Sequence, residues 1–159
     1  MDPKVQVVVD AARAEGLEVS PLSFPAGTKT AADAARAIGV GVGQIVKSLV
    51  FRVDGRPVMV LAPGDRRVDE GLLATATGGT VVERMDAAAV REATGFSIGG
   101  VPSVGHSLPV YVDRGITGYD EVWVAAGTGT DVFAVAPADL IRVTRGTVTQ
   151  LCGTASPGG

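Results

Sequence analysis

The chain has 159 residues, 46% hydrophobic and 19% charged, with a net charge of −3, and a mean hydropathy of +0.31. That length predicts a single domain burying roughly 70% of its unfolded-chain surface, so no metal or disulfide is needed to hold a core, and the composition excludes a polar disordered segment. The acidic balance excludes a protein that tracks a long stretch of nucleic-acid backbone, four Phe, two Tyr and one Trp exclude a platform of interleaved aromatics, and one cysteine, Cys152, excludes an intrachain disulfide or a Cys-rich zinc site.

Residues 3 to 15 place Val5, Val8, Val9 and Ala12 at the i, i+3, i+4, i+7 spacing of an amphipathic helix that stops at Gly16. Charges at Asp2, Lys4 and Asp10 leave no apolar run long enough for a signal sequence or a membrane span, so a cytoplasmic protein is expected, consistent with its lone thiol. A loop through Pro21 and Pro25 leads to Thr30, an N-cap for a helix with Ala32, Ala35 and Ile38 on one face and Gly39 as its stop. QIVKSLVFRV (44 to 53) and RPVMVLAPG flank Asp54-Gly55, a hairpin signal. Asp69 or Asp65 opens a helix through Leu72, Leu73 and Ala76 that Gly78-Gly79 closes. TVVER is a strand, and Asp86 caps DAAAVREATG, which ends at Gly95. Residues 95 to 109 are a structured Gly/Pro loop. Strands follow at 109 to 113, 120 to 127 and 131 to 136, and Pro137 starts a last helix. The mixture of strands and helices predicts an α/β (α+β) class with a mixed sheet. The domain is expected over 1–151, with a flexible tail over 152–159.

Lys47 is the first residue with possible chemistry. Period-2 alternation groups it with Ile45, Leu49 and Phe51, and an ammonium among apolar side chains loses hydration unless it meets an anion or a wet cavity. It reads as a cation lining a pocket or as an edge-strand lysine reaching solvent. Gly99-Gly100 before Pro102 allows a ligand to approach the main chain and its N–H groups, or forms an ordinary wide turn. Gly95-Phe96-Ser97-Ile98-Gly99 matches the serine-hydrolase elbow G-x-S-x-G, but a helix precedes it and a loop follows, the reverse of what an elbow needs. His106, the only histidine, reads as a base or as a structural residue. Gly127-Thr-Gly129-Thr-Asp131 completes no phosphate-loop pattern and is a hairpin turn.

The segments QIVKSLVF, VMVLAPGD, GFSIGGVPSVGH and DEVWVAAGTGTDVFAVAPADLIRVT, in this order and spacing, resemble the YbaK/EbsC family of aminoacyl-tRNA editing proteins, relatives of the prolyl-tRNA synthetase insertion domain, over about residues 20 to 145. The resemblance implies one compact domain with a barrel-like central sheet flanked by helices, acting in trans to hydrolyse the ester of a mischarged tRNA such as one for proline. It implies Lys47 as the catalytic cation, Gly99 and Gly100 as backbone contacts to the aminoacyl carbonyl, and Pro102 as the residue that fixes their loop. Phe24, beside Ser23, stands where several members carry a histidine or tyrosine in the N-terminal pocket loop. His106 replaces polar residues seen after the glycine loop and is expected at the substrate site. No cofactor or metal is expected. The expected partners are the aminoacylated 3′ end of tRNA and an aminoacyl-tRNA synthetase, without a membrane. Two rivals to the deacylase are a non-catalytic module that binds aminoacyl ends or a nucleotide-like ligand, and a serine hydrolase using Ser97.

Overall fold

Local signals and observed elements agree closely in the computed structural model, which describes residues 1–24 and 30–153. Helix α1 spans Pro3–Ala14 and buries Val5, Val8, Val9 and Ala12, the predicted stripe, with the Asp2 side chain accepting from the Lys4 N–H. Helix α2 spans Ala31–Ile38. Thr30 and Asp33 cap its start reciprocally, and Gly39, at φ 90°, ends it in the left-handed region that side chains disfavour. Its inward stripe runs Ala31, Ala34, Ala35, Ile38, and Ala32 is exposed. The predicted face was therefore rotated, because a stripe begun at Ala31 keeps the i, i+3, i+4, i+7 spacing. Pro25 and residues 154–159 lie outside the described residues.

Strands β1 (Leu22–Ser23), β2 (Val46–Val53) and β3 (Arg56–Pro63) follow in chain order with α2 between the first two, and β2 and β3 form the hairpin that Asp54-Gly55 predicts. Helix α3 (Glu70–Thr77) starts at Asp69, which accepts from the Leu72 N–H, and stops at Gly78. Then come β4 (Val82–Arg84), α4 (Ala87–Thr94) capped by Asp86, β5 (Val110–Asp113), β6 (Val122–Ala125), β7 (Asp131–Val135), α5 (Pro137–Thr144) and β8 (Thr147–Thr149). The order β4-β2-β3-β5-β8 makes a mixed five-stranded sheet. It is antiparallel across β4, β2 and β3 and parallel across β3, β5 and β8. A separate antiparallel sheet has the order β1-β7-β6.

The barrel-like sheet expected from the resemblance is thus two sheets rather than a closed barrel. They touch at one parallel bridge, Ile45 to Trp123. β4 pairs with β2 over Phe51–Val53 alone, so the edge of Val46–Val50 on that side has no strand against it. Closure requires a continuous hydrogen-bonded seam, and here the seam is interrupted.

The main core packs α1, α4 and α5 against both sheets. It takes Val46 and Val50 from one face of β2 and Val122, Val124 and Phe133 from the smaller sheet. The opposite face of β2 gives Phe51 and Val53 to a second core with Val60, Leu73 of α3, Leu151 and Cys152. Fully burying a side chain such as Leu73 contributes about 1.5–3 kcal/mol, so both faces stabilise the central hairpin. Cys152, assigned from sequence to a flexible tail, is buried and bridges Val68. Asp113 holds it there: one carboxylate oxygen accepts from the Leu151 and Cys152 N–H groups, both at 2.9 Å, and the other accepts from the Gly115 N–H at 2.9 Å.

Candidate functional site

A cavity of about 590 Å³ opens where the two sheets part. Its walls come from the open edge of β2, the start of α2, the segment around Gly99, and the β6–β7 hairpin. Lys47 lies on this wall, half-buried, and its ammonium donates to the Arg66 carbonyl in the loop after β3. Burial pulls the Lys47 pKa below the ordinary lysine value. Nearby Arg67 and Arg84 push the same way, while Cys152 and Asp65 oppose them. Arg67 and Arg84 also line the cavity, and among the described residues no carboxylate lines it and neither arginine forms an ion pair. In a chain of net charge −3, the cavity lining is a local concentration of positive charge, suited to an anionic ligand.

Of the other residues singled out from sequence, Phe24 and Gly99 line the same cavity as Lys47. Phe24 is held there by its N–H, which donates to the Thr130 carbonyl at 2.8 Å. Gly99 is exposed at φ 91°, a backbone state that selects glycine and turns the main chain toward the cavity. Gly100 is placed otherwise. It is buried, its N–H donates to the Ser97 carbonyl at 2.9 Å, and a Cβ there would lie 2.6 Å from the Thr128 main chain. Its lack of a side chain serves the packing of two loops, and its N–H is already committed. Pro102 is buried behind this segment and does not line the cavity.

His106 is not brought to Lys47. It lines a separate groove of about 840 Å³ between the end of α1, residues 103 to 111 and the end of α5. Its Nδ1 accepts from the Leu108 N–H at 3.1 Å and its Nε2 lies 3.0 Å from the Ser103 carbonyl, so the neutral Nε2–H tautomer satisfies both. Burial lowers its pKa, which keeps that form. Both nitrogens are used structurally. Ser97 follows α4, accepts from the Arg91 guanidinium at 3.0 Å, and lines neither space. With no imidazole free to act on it, the elbow pattern has no chemistry behind it. The Gly127–Asp131 segment is the β6–β7 turn, where Thr128 Oγ1 accepts from the Thr130 and Asp131 N–H groups and donates to the Asp131 carboxylate.

The cavity residues that were not singled out from sequence include the cations Arg67 and Arg84 and two polar groups, Ser48 and Trp123. Ser48 Oγ and Trp123 Nε1 are both buried, with no hydrogen-bond partner among the described residues. Alternation along β2 and β6 was legible, but not the gap between the sheets toward which these groups are turned. Among the described residues no group of three or more His, Cys, Asp and Glu is arranged to hold a metal ion, and no helix is long and apolar enough to cross a membrane.

Residues 25–143 match the model of the aminoacyl-tRNA editing domain family. A proline–tRNA ligase of Desulfovibrio desulfuricans is 32% identical over 126 residues, which cover 73% of this chain and 22% of that protein, so the chain spans about a fifth of the ligase. The Bacillus subtilis protein YwhH is 32% identical over 120 residues, covering 74% of this chain and 76% of its own. A crystal structure described as a candidate trans-editing enzyme for prolyl tRNA synthetase superposes with a TM-score of 0.91 at 40% identity, covering 96% of this chain and 99% of that one. With a family match across most of its length and the same fold in that crystal structure, the chain belongs to the aminoacyl-tRNA editing domain family.

Proposed function

We propose that this protein is a trans-acting, cytoplasmic deacylase that hydrolyses the ester between a mischarged amino acid and the 3′ end of tRNA, with a tRNA for proline as the first candidate and a synthetase as an associated partner. The observation that carries this reading is the half-buried Lys47 ammonium in a cavity whose charged lining residues are all cationic. Water attacks the ester carbonyl carbon, the bond to the ribose oxygen breaks, and that oxygen leaves with a proton as the free amino acid departs. The ester is already activated, so the protein's task is to place carbonyl and water and to steady negative charge. Lys47 supplies the charge, the exposed backbone at Gly99 receives the acyl end, and Phe24 adds an apolar wall.

The test is a panel of mischarged tRNAs, including alanyl-, seryl- and cysteinyl-tRNA for proline. Wild type is expected to release amino acid from at least one, and Lys47→Ala to lose about 10²–10³-fold in kcat/KM, the usual effect of removing one electrostatic stabiliser. No release from any member sinks the reading. One observation favours a second reading, a binding module: among the described residues no carboxylate or imidazole lines the cavity to act as general base. Tight binding of a non-hydrolysable aminoacyl end without turnover would select it.

A further inference from the structure

The five-stranded sheet ends in β4 on one side and β8 on the other, and among the described residues no further strand pairs with the outer edge of either. An open edge is a row of N–H and C=O groups ready to pair with another chain, and proteins usually blunt it with charge, proline or a bulge. β4 is blunted in this way. It reads Val82-Glu83-Arg84, so pairing with a second copy about a two-fold axis at its centre would set Glu83 against Glu83, and like charges directly opposite destabilise a sheet. β8 has no such guard. Residues 146–150, Gly-Thr-Val-Thr-Gln, hold no charge and no proline, and the strand itself is built of β-branched residues that favour the extended chain. Thr147 and Val148 are both exposed, Val148 to 39%.

β8 also reads the same from either end, Thr147-Val148-Thr149. An antiparallel copy related by a two-fold axis at Val148 therefore sets valine against valine and Thr147 against Thr149 of the partner subunit, and Thr–Thr and β-branched pairs are favourable across strands. We propose that the β8 edge is a self-association surface: two copies of this chain pair antiparallel through Thr147–Thr149, joining their five-stranded sheets into one continuous sheet. The opposed Val148 side chains, with Cβ atoms about 4.5–5.5 Å apart, cover each other's exposed surface. With three residues in each strand the seam is short, so the dimer is weak and reversible, at the small end of specific interfaces. Lys47 on β2 lies three strands in from the seam. At a strand spacing of about 4.8 Å the two β2 strands are about 34 Å apart, which leaves both cavities clear of the seam. The pairing stands or falls independently of the deacylase reading.

Sedimentation velocity of the full chain from micromolar to millimolar concentration should show a reversible shift from monomer to dimer. Hydrogen exchange at the Thr147–Thr149 amides should slow over the same range. Val148→Lys sets two ammonium groups against each other at the axis and should stay monomeric, as should Val148→Glu, which opposes two carboxylates. An equal mixture of the two variants sets opposite charges face to face and should recover the dimer, which separates a lost contact from a lost fold. A wild type that stays monomeric throughout, a dimer that both single variants leave intact, unchanged exchange in β8 on dimerisation, or a mixture that remains monomeric each overturns the proposal.

Discussion

Lys47 is held where a charge is costly. Its position on β2 gives the ammonium the Arg66 carbonyl as acceptor but, among the described residues, no ion-paired carboxylate, and burial favours the neutral amine. In the deacylase reading the protonated form is the active one, so enzymatic rate should fall as pH rises through a Lys47 pKa below the ordinary value of 10.5. After subtracting spontaneous ester hydrolysis, Lys47→Arg should move any retained activity's falling limb to higher pH. A limb in the same place assigns it to another group. The stability effect has the opposite direction to that of a salt-bridged lysine. Between its folded pKa and 10.5 the unfolded chain binds the proton that the folded chain has released, so the cost of the buried charge is relieved as pH rises. Accordingly Lys47→Met should abolish activity without lowering the melting temperature. A drop of several degrees would mean that the lysine supports the fold.

The elements with chemical punctuation at their ends were legible before any contact was known. Thr30 and Gly39, Asp69 and Gly78, and Asp86 and Gly95 each bracket a helix, and Asp54-Gly55 sets a hairpin, because caps and tight turns are local chemistry. β1 and β8 were not legible. They have two and three residues, and their pairing depends on β7 and β5, far away in the chain. The site divided in the same way. Lys47 stood out because a charge interrupts an apolar strand, and Gly99 because it lies in a glycine pair. Trp123 and Ser48 became visible only once the gap between sheets was known. The segment 103 to 109 shows how a lone histidine misleads: His106 is a loop brace that accepts from one main-chain N–H and donates to one carbonyl. Its folded pKa lies below 6.5, so as pH falls below 6.5 the unfolded chain binds a proton that the folded chain resists, and stability declines until the folded pKa is passed. His106→Gln should lack this decline in melting temperature between pH 7.5 and pH 5. Parallel curves for the two proteins would assign the acid sensitivity elsewhere.

Across the whole molecule, an acidic chain presents a small cationic cavity. The composition argued against a protein that grips a long stretch of nucleic acid, and in the deacylase reading Lys47, Arg67 and Arg84 at the seam limit the contact to a few phosphates. If two or three phosphates are contacted, the log–log slope of tRNA affinity against salt should lie near −1.4 to −2.1, taking about −0.7 per phosphate for single strands. A slope several times steeper would require a second basic surface. The family match ends at residue 143, yet β8, Leu151 and Cys152 complete one sheet edge and the second core.

The tether at Asp113 ties these scales together. By holding Leu151 and Cys152, it places the Leu151 carbonyl to accept from the Asp69 N–H at 2.7 Å and sets Cys152 against Val68, bracing the loop whose Arg66 carbonyl receives the Lys47 ammonium. Asp113→Ala should cost about 3 kcal/mol by leaving buried N–H groups unpaired, measured as a shift in denaturant midpoint. The Cys152 thiol, pushed up to about 12 mainly by burial and also by Asp113, is unreactive while the brace holds. The chain therefore carries its own latch sensor: alkylation of its single thiol times the opening of the C-terminal latch beneath Lys47. Asp113→Ala should speed that clock, while a substitution confined to the cavity wall, such as Trp123→Phe, should leave it unchanged.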